Sequence, residues 1–320
     1  MNTPLPDILP LKPFLREIVW GGRRLQSFGK DLPPEVPIGE SFEVSALPDQ
    51  DSVVRCGPLA GLGLCDLLAR YGEELVGTAV KARYAADFPL LIKLIDAQDD
   101  LSIQVHPDDA YARAEGLGTF GKTEAWYVLH SDGAKLALGL KAGTDEAALR
   151  QALTEGRAED AVLYQDVKAE DVVFLKAGTV HALCSGVMVY EVQQSSDITF
   201  RLYDYERFGL DGRPRDLHID RGLAVTDFDA VIPRPDSAPP PAPGGTVLVD
   251  ADEFTLILHG ADTPTLTTFN AFAAVTVIAG KGRFAGVELI LGRTALIPAG
   301  REITVLPAAD LRFLVAAPGC

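Results

Sequence analysis

Two histidines, a glutamate and a glutamine in this chain carry the donor atoms from which a divalent-metal site can be assembled. In Leu101-Ser102-Ile103-Gln104-Val105-His106-Pro107 the side chains of a strand alternate between faces. Ser102, Gln104 and His106 therefore share one face, with Ile103 and Val105 on the other. Glu124 follows in Gly121-Lys122-Thr123-Glu124-Ala125-Trp126, and His181 closes Ala177-Gly178-Thr179-Val180-His181. Zinc accepts nitrogen and oxygen ligands at roughly 2.0–2.3 Å, and catalytic sites combine three protein ligands with an open position. His106, Glu124 and His181 supply such a set, and Gln104 adds a weaker amide oxygen. One carboxylate against a dication leaves net positive charge, as a Lewis acid needs. The competing assignment makes His106 a strand cap, Glu124 a surface partner of Lys122 and His181 a turn residue. Taken jointly, the four favour the metal.

These residues need strands to hold them. Phe42–Ala46, part of Phe88–Ala97, Asp171–Leu175 and Val187–Gln193 read as strands. Helices are expected at Leu64–Tyr71, at Asp108–Glu115 behind Pro107, and at Asp145–Thr154 with Thr144 as N-cap. From Val231 to Gly245, six prolines and two glycines in fifteen residues exclude a helix or central strand. The chain is thus expected to divide into residues 1–230, a linker over 231–246, and a smaller unit over 247–320. The smaller unit is almost all strand: Thr246–Val249, Phe254–His259, Phe272–Ile278, Ala285–Leu291, Thr294–Pro298 and Leu311–Ala316, which favours a sandwich or barrel. Lys176-Ala177-Gly178-Thr179-Val180-His181 aligns with Pro298-Ala299-Gly300-Arg301-Glu302-Ile303. Ile303 in place of His181 marks a related unit that cannot hold the same metal.

Composition narrows the function further. With 320 residues, 47% hydrophobic content, 30 Gly and 22 Pro, the chain suits a folded, turn-rich protein. A net charge of −16 argues against a nucleic-acid partner. An anionic ligand would need a local cluster of Lys and Arg to reverse the field. No apolar stretch approaches the ~20 residues that span a bilayer, and the N-terminus lacks the pattern of a secretory signal. Four cysteines without paired spacing point to the cytoplasm. No phosphate-binding or dinucleotide glycine motif and no nucleophile elbow is present. His130, His218 and His259 lack ligand-like spacing and are expected on the surface or in the core.

Four segments, Gly39-Glu40-Ser41-Phe42-Glu43-Val44-Ser45, the 101–107 strand, Gly121–Trp126 and Ala177–Ala182, resemble the type I phosphomannose isomerases. Tyr190–Tyr205 and Gly212–His218 resemble the shorter bacterial branch of that family, and the likeness runs from Ile18 to the C-terminus. The resemblance implies a mainly β protein with a few helices, built from two cupin (jelly-roll) β-sandwich domains, the second lacking metal ligands. It implies one Zn2+ per chain on Gln104, His106, Glu124 and His181, and interconversion of mannose 6-phosphate and fructose 6-phosphate through a cis-enediol. It also implies a catalytic role for Arg201, on the shorter branch only, and places Lys93, Ser102 and Lys122 near the phosphoryl end. The family's proline before Ala177-Gly178 is Lys176 here, which loosens the turn without removing a ligand.

Three points stay open at this level. Arg201 could instead pair with Asp204 or Asp197. The proton-transfer group could be Glu191, from the alternating row Glu191, Gln193 and Ser195, or Asp197, or water on the metal. Another aldose, or a sugar-binding role without turnover, would use the same site. Oligomeric state is not legible.

Overall fold

The computed structural model describes residues 3–231 and 234–320. Ile232 and Pro233, which belong to the expected linker, lie outside the described residues.

Among the described residues the strands form four sheets, of seven, seven, five and four strands, stacked as layers. The core follows from the alternation. Leu90–Ala97 is buried along its whole length because it has protein on both faces. Leu90, Ile92 and Leu94 pack with Phe254, Leu256 and Ala274 of the second seven-stranded sheet and with Phe272 just before its strand. Ile95 and Ala97 face the other way, beside Trp126 of their own sheet and toward Leu136 and Leu138 of the five-stranded sheet. Beyond that sheet, Ile103, Val105 and Ala182 pack against Leu149, Leu153 and Leu223 of the Glu146–Thr154 and Ile219–Val225 helices. The four-stranded sheet closes the opposite end over Val275, Phe284, Ile303 and Phe313.

Local expectations hold where the signal is local. Leu64–Tyr71 and Asp171–Leu175 are a helix and a strand with the expected bounds. Asp108 caps its helix by accepting from the Tyr111 amide at 2.8 Å. In the next helix Asp145, not Thr144, is the cap, accepting from Ala148 N at 2.8 Å. An aspartate one residue later fits the same role. Phe42–Ala46 becomes Ile38–Val44. The expected Ala285–Leu291 strand starts too early: Ala285 and Gly286 have positive φ and turn a hairpin between Lys281–Phe284 and Val287–Ile290.

Two connections are long-range. Leu9–Lys12 pairs with Thr294–Ile297 in the sheet of the C-terminal strands. Asp236–Ser237, within the proline-rich stretch, forms a two-residue edge strand against Asp171–Leu175, a position that proline-rich chain tolerates.

Candidate active site and metal centre

Three adjacent strands of the five-stranded sheet set one wall of the site. Arg201 stands opposite Gln104 and Gln104 opposite His181, so the three form a row across the sheet. Directly opposed residues point to the same face with Cβ atoms ~5 Å apart. His106, two residues from Gln104, extends that face, while Ile103 and Val105 are fully buried on the other. The facing seven-stranded sheet presents a second row, with Trp126 opposite Glu191 and Glu191 opposite Lys93. Glu124 lies on the Trp126 strand, two residues away.

Two turns close the site. Gly178 donates to the His106 carbonyl at 2.8 Å from a backbone with φ of 87°, which ties the His181 turn to the strand of Gln104 and His106. Gly121 lies so near Pro107 that a Cβ would come within 2.4 Å of its carbonyl oxygen. Only glycine permits this approach, which sets Lys122 and Glu124 beside His106.

The donors converge. One donor atom each from His106, Glu124 and His181 lies within 4.8 Å of the other two, and all three residues are buried. Glu124 Oε1 is 3.1 Å from His181 Nε2, and Glu124 Oε2 is 3.9 Å from His106 Nε2. Ligand atoms around a tetrahedral zinc sit roughly 3.4 Å apart, so the spacing fits. Each imidazole is anchored through its other nitrogen: His106 Nδ1 to the Ile198 carbonyl at 2.8 Å, His181 Nδ1 to the Thr179 carbonyl at 2.9 Å. That bond fixes the tautomer and leaves Nε2 as an electron-pair donor. The Gln104 amide lies 3.4 and 3.3 Å from the two Nε2 atoms, and a half-turn of that amide presents its oxygen.

Charge agrees with geometry. Burial, then the Lys122 ammonium, push His106 well below its usual pKa, leaving it neutral as a ligand must be. Burial would raise Glu124, but Lys122 and His181 hold its carboxyl well below the ordinary range. Neither Glu124 oxygen has a well-directed hydrogen bond, although Lys122 Nζ lies 2.8 Å from Oε2. The expected surface pair of Lys122 and Glu124 is thus real in contact and wrong in place, since both are buried. Donors that converge on an ammonium make a site for cations.

A cavity of about 200 Å³ opens between the two rows. Lys93, Ser102, Gln104, Lys122 and Arg201 all line it, which brings the expected residues together. Five cationic side chains line it, Arg16, Lys93, Lys122, Arg201 and Arg215, against three carboxylates, Glu40, Glu191 and Asp197. In a chain of net charge −16 this excess reverses the local field, as an anionic ligand requires. Lys93 is 3.2 Å from Glu40, 3.6 Å from Glu191 and 3.9 Å from Asp197. Burial would lower its pKa, but these carboxylates raise it above the ordinary lysine value. Arg201 pairs with neither Asp204 nor Asp197. Its Nη1 donates to the Asp216 carbonyl at 2.9 Å, and its buried Nε has no partner. Asp204 is held by Arg215, and Asp197 by Arg16 at 3.1 Å.

Of the polar row, Glu191 faces the cavity. Its Oε2 accepts from Trp126 Nε1 at 2.7 Å, while buried Oε1 has no hydrogen bond. Gln193 is committed to the carbonyls of Gln194 and Ser196. Burial raises the Glu191 pKa and Glu124 adds to the rise, whereas Lys93 and Arg16 outweigh burial at Asp197 and lower it. His218 corrects the sequence expectation: it lines the cavity and accepts from the Arg201 amide at 3.2 Å. Only the folding of the 204–218 loop brings it there. Arg16 and Arg215 were likewise unmarked by spacing. His130 is half-exposed beside Asp132, and His259 is buried against Phe313, as expected.

The model of the phosphomannose isomerase type I catalytic domain matches residues 8–149. A mannose-6-phosphate isomerase of Streptococcus mutans is 39% identical over 289 residues, 87% of either chain. The chain belongs to the type I phosphomannose isomerases. The probable mannose-6-phosphate isomerase GmuF of Bacillus subtilis is 41% identical over 217 residues, 67% of either chain. The crystal structure of the Bacillus subtilis mannose 6-phosphate isomerase superposes with a TM-score of 0.85 at 30% identity, covering 97% of this chain and 99% of that one. As a member of this family the chain is an isomerase, and its mainly β architecture is the family's cupin sandwich. A mannose 6-phosphate isomerase solved with zinc and yttrium shares the fold at a TM-score of 0.75.

Proposed function

We propose that this isomerase interconverts mannose 6-phosphate and fructose 6-phosphate, with one Zn2+ per chain held by Gln104, His106, Glu124 and His181. The observation that carries the reading is the convergence of Glu124 and two Nε2 donors beside a cavity with an excess of cationic side chains. Zn2+ at these donors would supply a Lewis acid that polarises the sugar oxygens.

The chain's own residues do the remainder. Arg201 is always charged, and its planar fork stabilises negative charge developing on the O1 and O2 oxygens of the opened sugar. Glu191 moves the proton between C1 and C2 through the cis-enediol. Its Oε1, which has no hydrogen bond, is the available acceptor, Trp126 fixes the other oxygen, and burial raises its pKa above the ordinary glutamate value. Asp197 is less suited, because its lowered pKa makes a weak base. Ser102, Lys93 and Lys122 hold the phosphorylated substrate, with Arg16 and Arg215 contributing charge. Trp20, Ile95, Leu101 and Leu183 form the apolar part of the wall and limit water.

Residues 1–230 form the catalytic unit in this reading, and 247–320 a cupin without metal. In support, Gly300 repeats the positive φ of Gly178, and Ile303 sits in an apolar core where the first copy has His181. The four free cysteines support a cytoplasmic site of action. No helix among the described residues is long and apolar enough to cross a membrane.

The test is a coupled assay on mannose 6-phosphate after chelation and readdition of single metals, run beside free mannose. Turnover restored by zinc and specific to the phosphorylated sugar is expected. Equal rates on free mannose, or full activity in the chelated enzyme, would overturn the reading.

A further inference from the structure

A second cavity, of about 230 Å³, lies on the seam where the N-terminal strand joins the C-terminal sheet. Leu11 and Leu289 contribute apolar wall, and Arg55, Cys56, Glu288 and Arg293 supply its functional groups. The arginines are poorly matched by acids. Among the described residues, the Arg55 side chain makes no hydrogen bond or ion pair. Arg293 reaches only Asp31, at 4.0 Å, and that aspartate is 92% exposed. Water screens so distant and solvated a partner.

Beneath them lies a buried ion pair. Lys30 is buried below Arg293, with Nζ 2.6 Å from Glu43 Oε1 and a further bond to the Gly292 carbonyl. Glu43 is fully engaged, since Ser41 donates to Oε1 at 2.6 Å and Thr294 to Oε2 at 3.0 Å. It attracts Arg293 through space, but hydrogen-bonds neither arginine. Three cations thus gather around one committed carboxylate, with the exposed Glu288 at the rim, in a chain of net charge −16. Burial and then Arg55 lower the pKa of Arg293, and both arginines add to the burial that lowers Lys30. This is the like-charge repulsion that a bound anion would relieve. The guanidinium fork matches phosphoryl oxygens two at a time.

We propose that this seam cavity is an anion site in which Arg55 and Arg293 clamp the phosphoryl group of a small phosphorylated compound. It shares no residue with the isomerase cavity. Cys56 is exposed in its wall and reports on occupancy.

The probe is inorganic pyrophosphate at constant ionic strength. Iodoacetamide labelling of Cys56 is followed by peptide mass spectrometry, with calorimetric titration in parallel. Lys122→Met in both experiments weakens anion binding in the isomerase cavity. At pyrophosphate roughly ten times its Kd, labelling should slow about tenfold. Protection and heat should survive in Lys122→Met, and should be lost when Arg55→Gln or Arg293→Gln is added to it. Arg55 is exposed, so its replacement leaves folding intact, checked by an unchanged melting temperature. Neither protection nor Arg55-dependent heat, or protection that persists without the arginines, would overturn the proposal.

Discussion

Glu191 stands directly opposite Lys93 in antiparallel register, its Oε1 3.6 Å from the lysine Nζ, and both side chains are buried. Glu40 and Asp197, which also share Arg16, complete a cluster in which one ammonium touches three carboxylates. Lys93→Met would strand buried negative charge. Removing one partner of a buried pair costs about 3–5 kcal/mol. Urea unfolding should show that loss; a change near zero would mean the carboxylates are solvated or protonated.

Glu191→Gln keeps the acceptor for Trp126 and removes the base. The expected fall in kcat is ~10²–10⁴-fold, with zinc content by mass spectrometry unchanged. The base works deprotonated, so wild-type kcat/KM should fall as pH drops through a pKa above the ordinary 4.5 of a glutamate. That acid limb should vanish in Glu191→Gln. An unchanged limb in the variant would assign it to another group.

Arg201→Lys keeps a charge and discards the fork. A loss of ~10²–10³-fold in kcat with zinc retained is expected, the range for removing one oxyanion donor. Near-normal turnover would take Arg201 out of the chemistry and leave it as a brace for Asp216 and His218.

Metal binding should appear in stability, independent of activity. At zinc about 100 times its Kd, the folded state gains ~2.7 kcal/mol. The melting temperature of the chelated protein should rise on zinc addition. Glu124→Gln and His181→Ala should flatten that response. A rise of equal size in both variants would place the ion elsewhere.

In the C-terminal unit, burial pushes His259 from its ordinary 6.5 to about 4, with the ring stacked on Phe313 and bonded to Thr263. The unfolded chain takes up the proton first as pH falls. Stability is therefore lost between pH 6.5 and 4, by at most about 3 kcal/mol, and levels off below. His259→Gln should remove that part of the acid dependence in pH-resolved thermal melts. An unaltered profile would contradict it.

Much of the site could be read from residue order because its rules are local. A strand alternates by backbone geometry alone, so Gln104 and His106 had to share a face opposite Ile103 and Val105. The repeated turn ahead of His181 could also be read, with Gly178 at positive φ, and the pairing of Lys122 with Glu124 was visible though not its burial. Two of the errors were also local, a cap one residue early and a strand begun inside a turn, where neighbouring residue types compete on nearly equal terms.

The sequence by itself determined which donors exist, the face each occupies on its own strand, and which copy of the repeated turn lacks a ligand. Only the tertiary structure decided that Arg201, Gln104 and His181 fall in one row, that Lys93 faces three carboxylates, and that Arg16, Arg215 and His218 reach the same cavity. Gln104 and His181 are 77 residues apart, and sheet register at that distance is set by which buried faces fit together. No short stretch of chain encodes it, because the energy that fixes it comes from packing between layers.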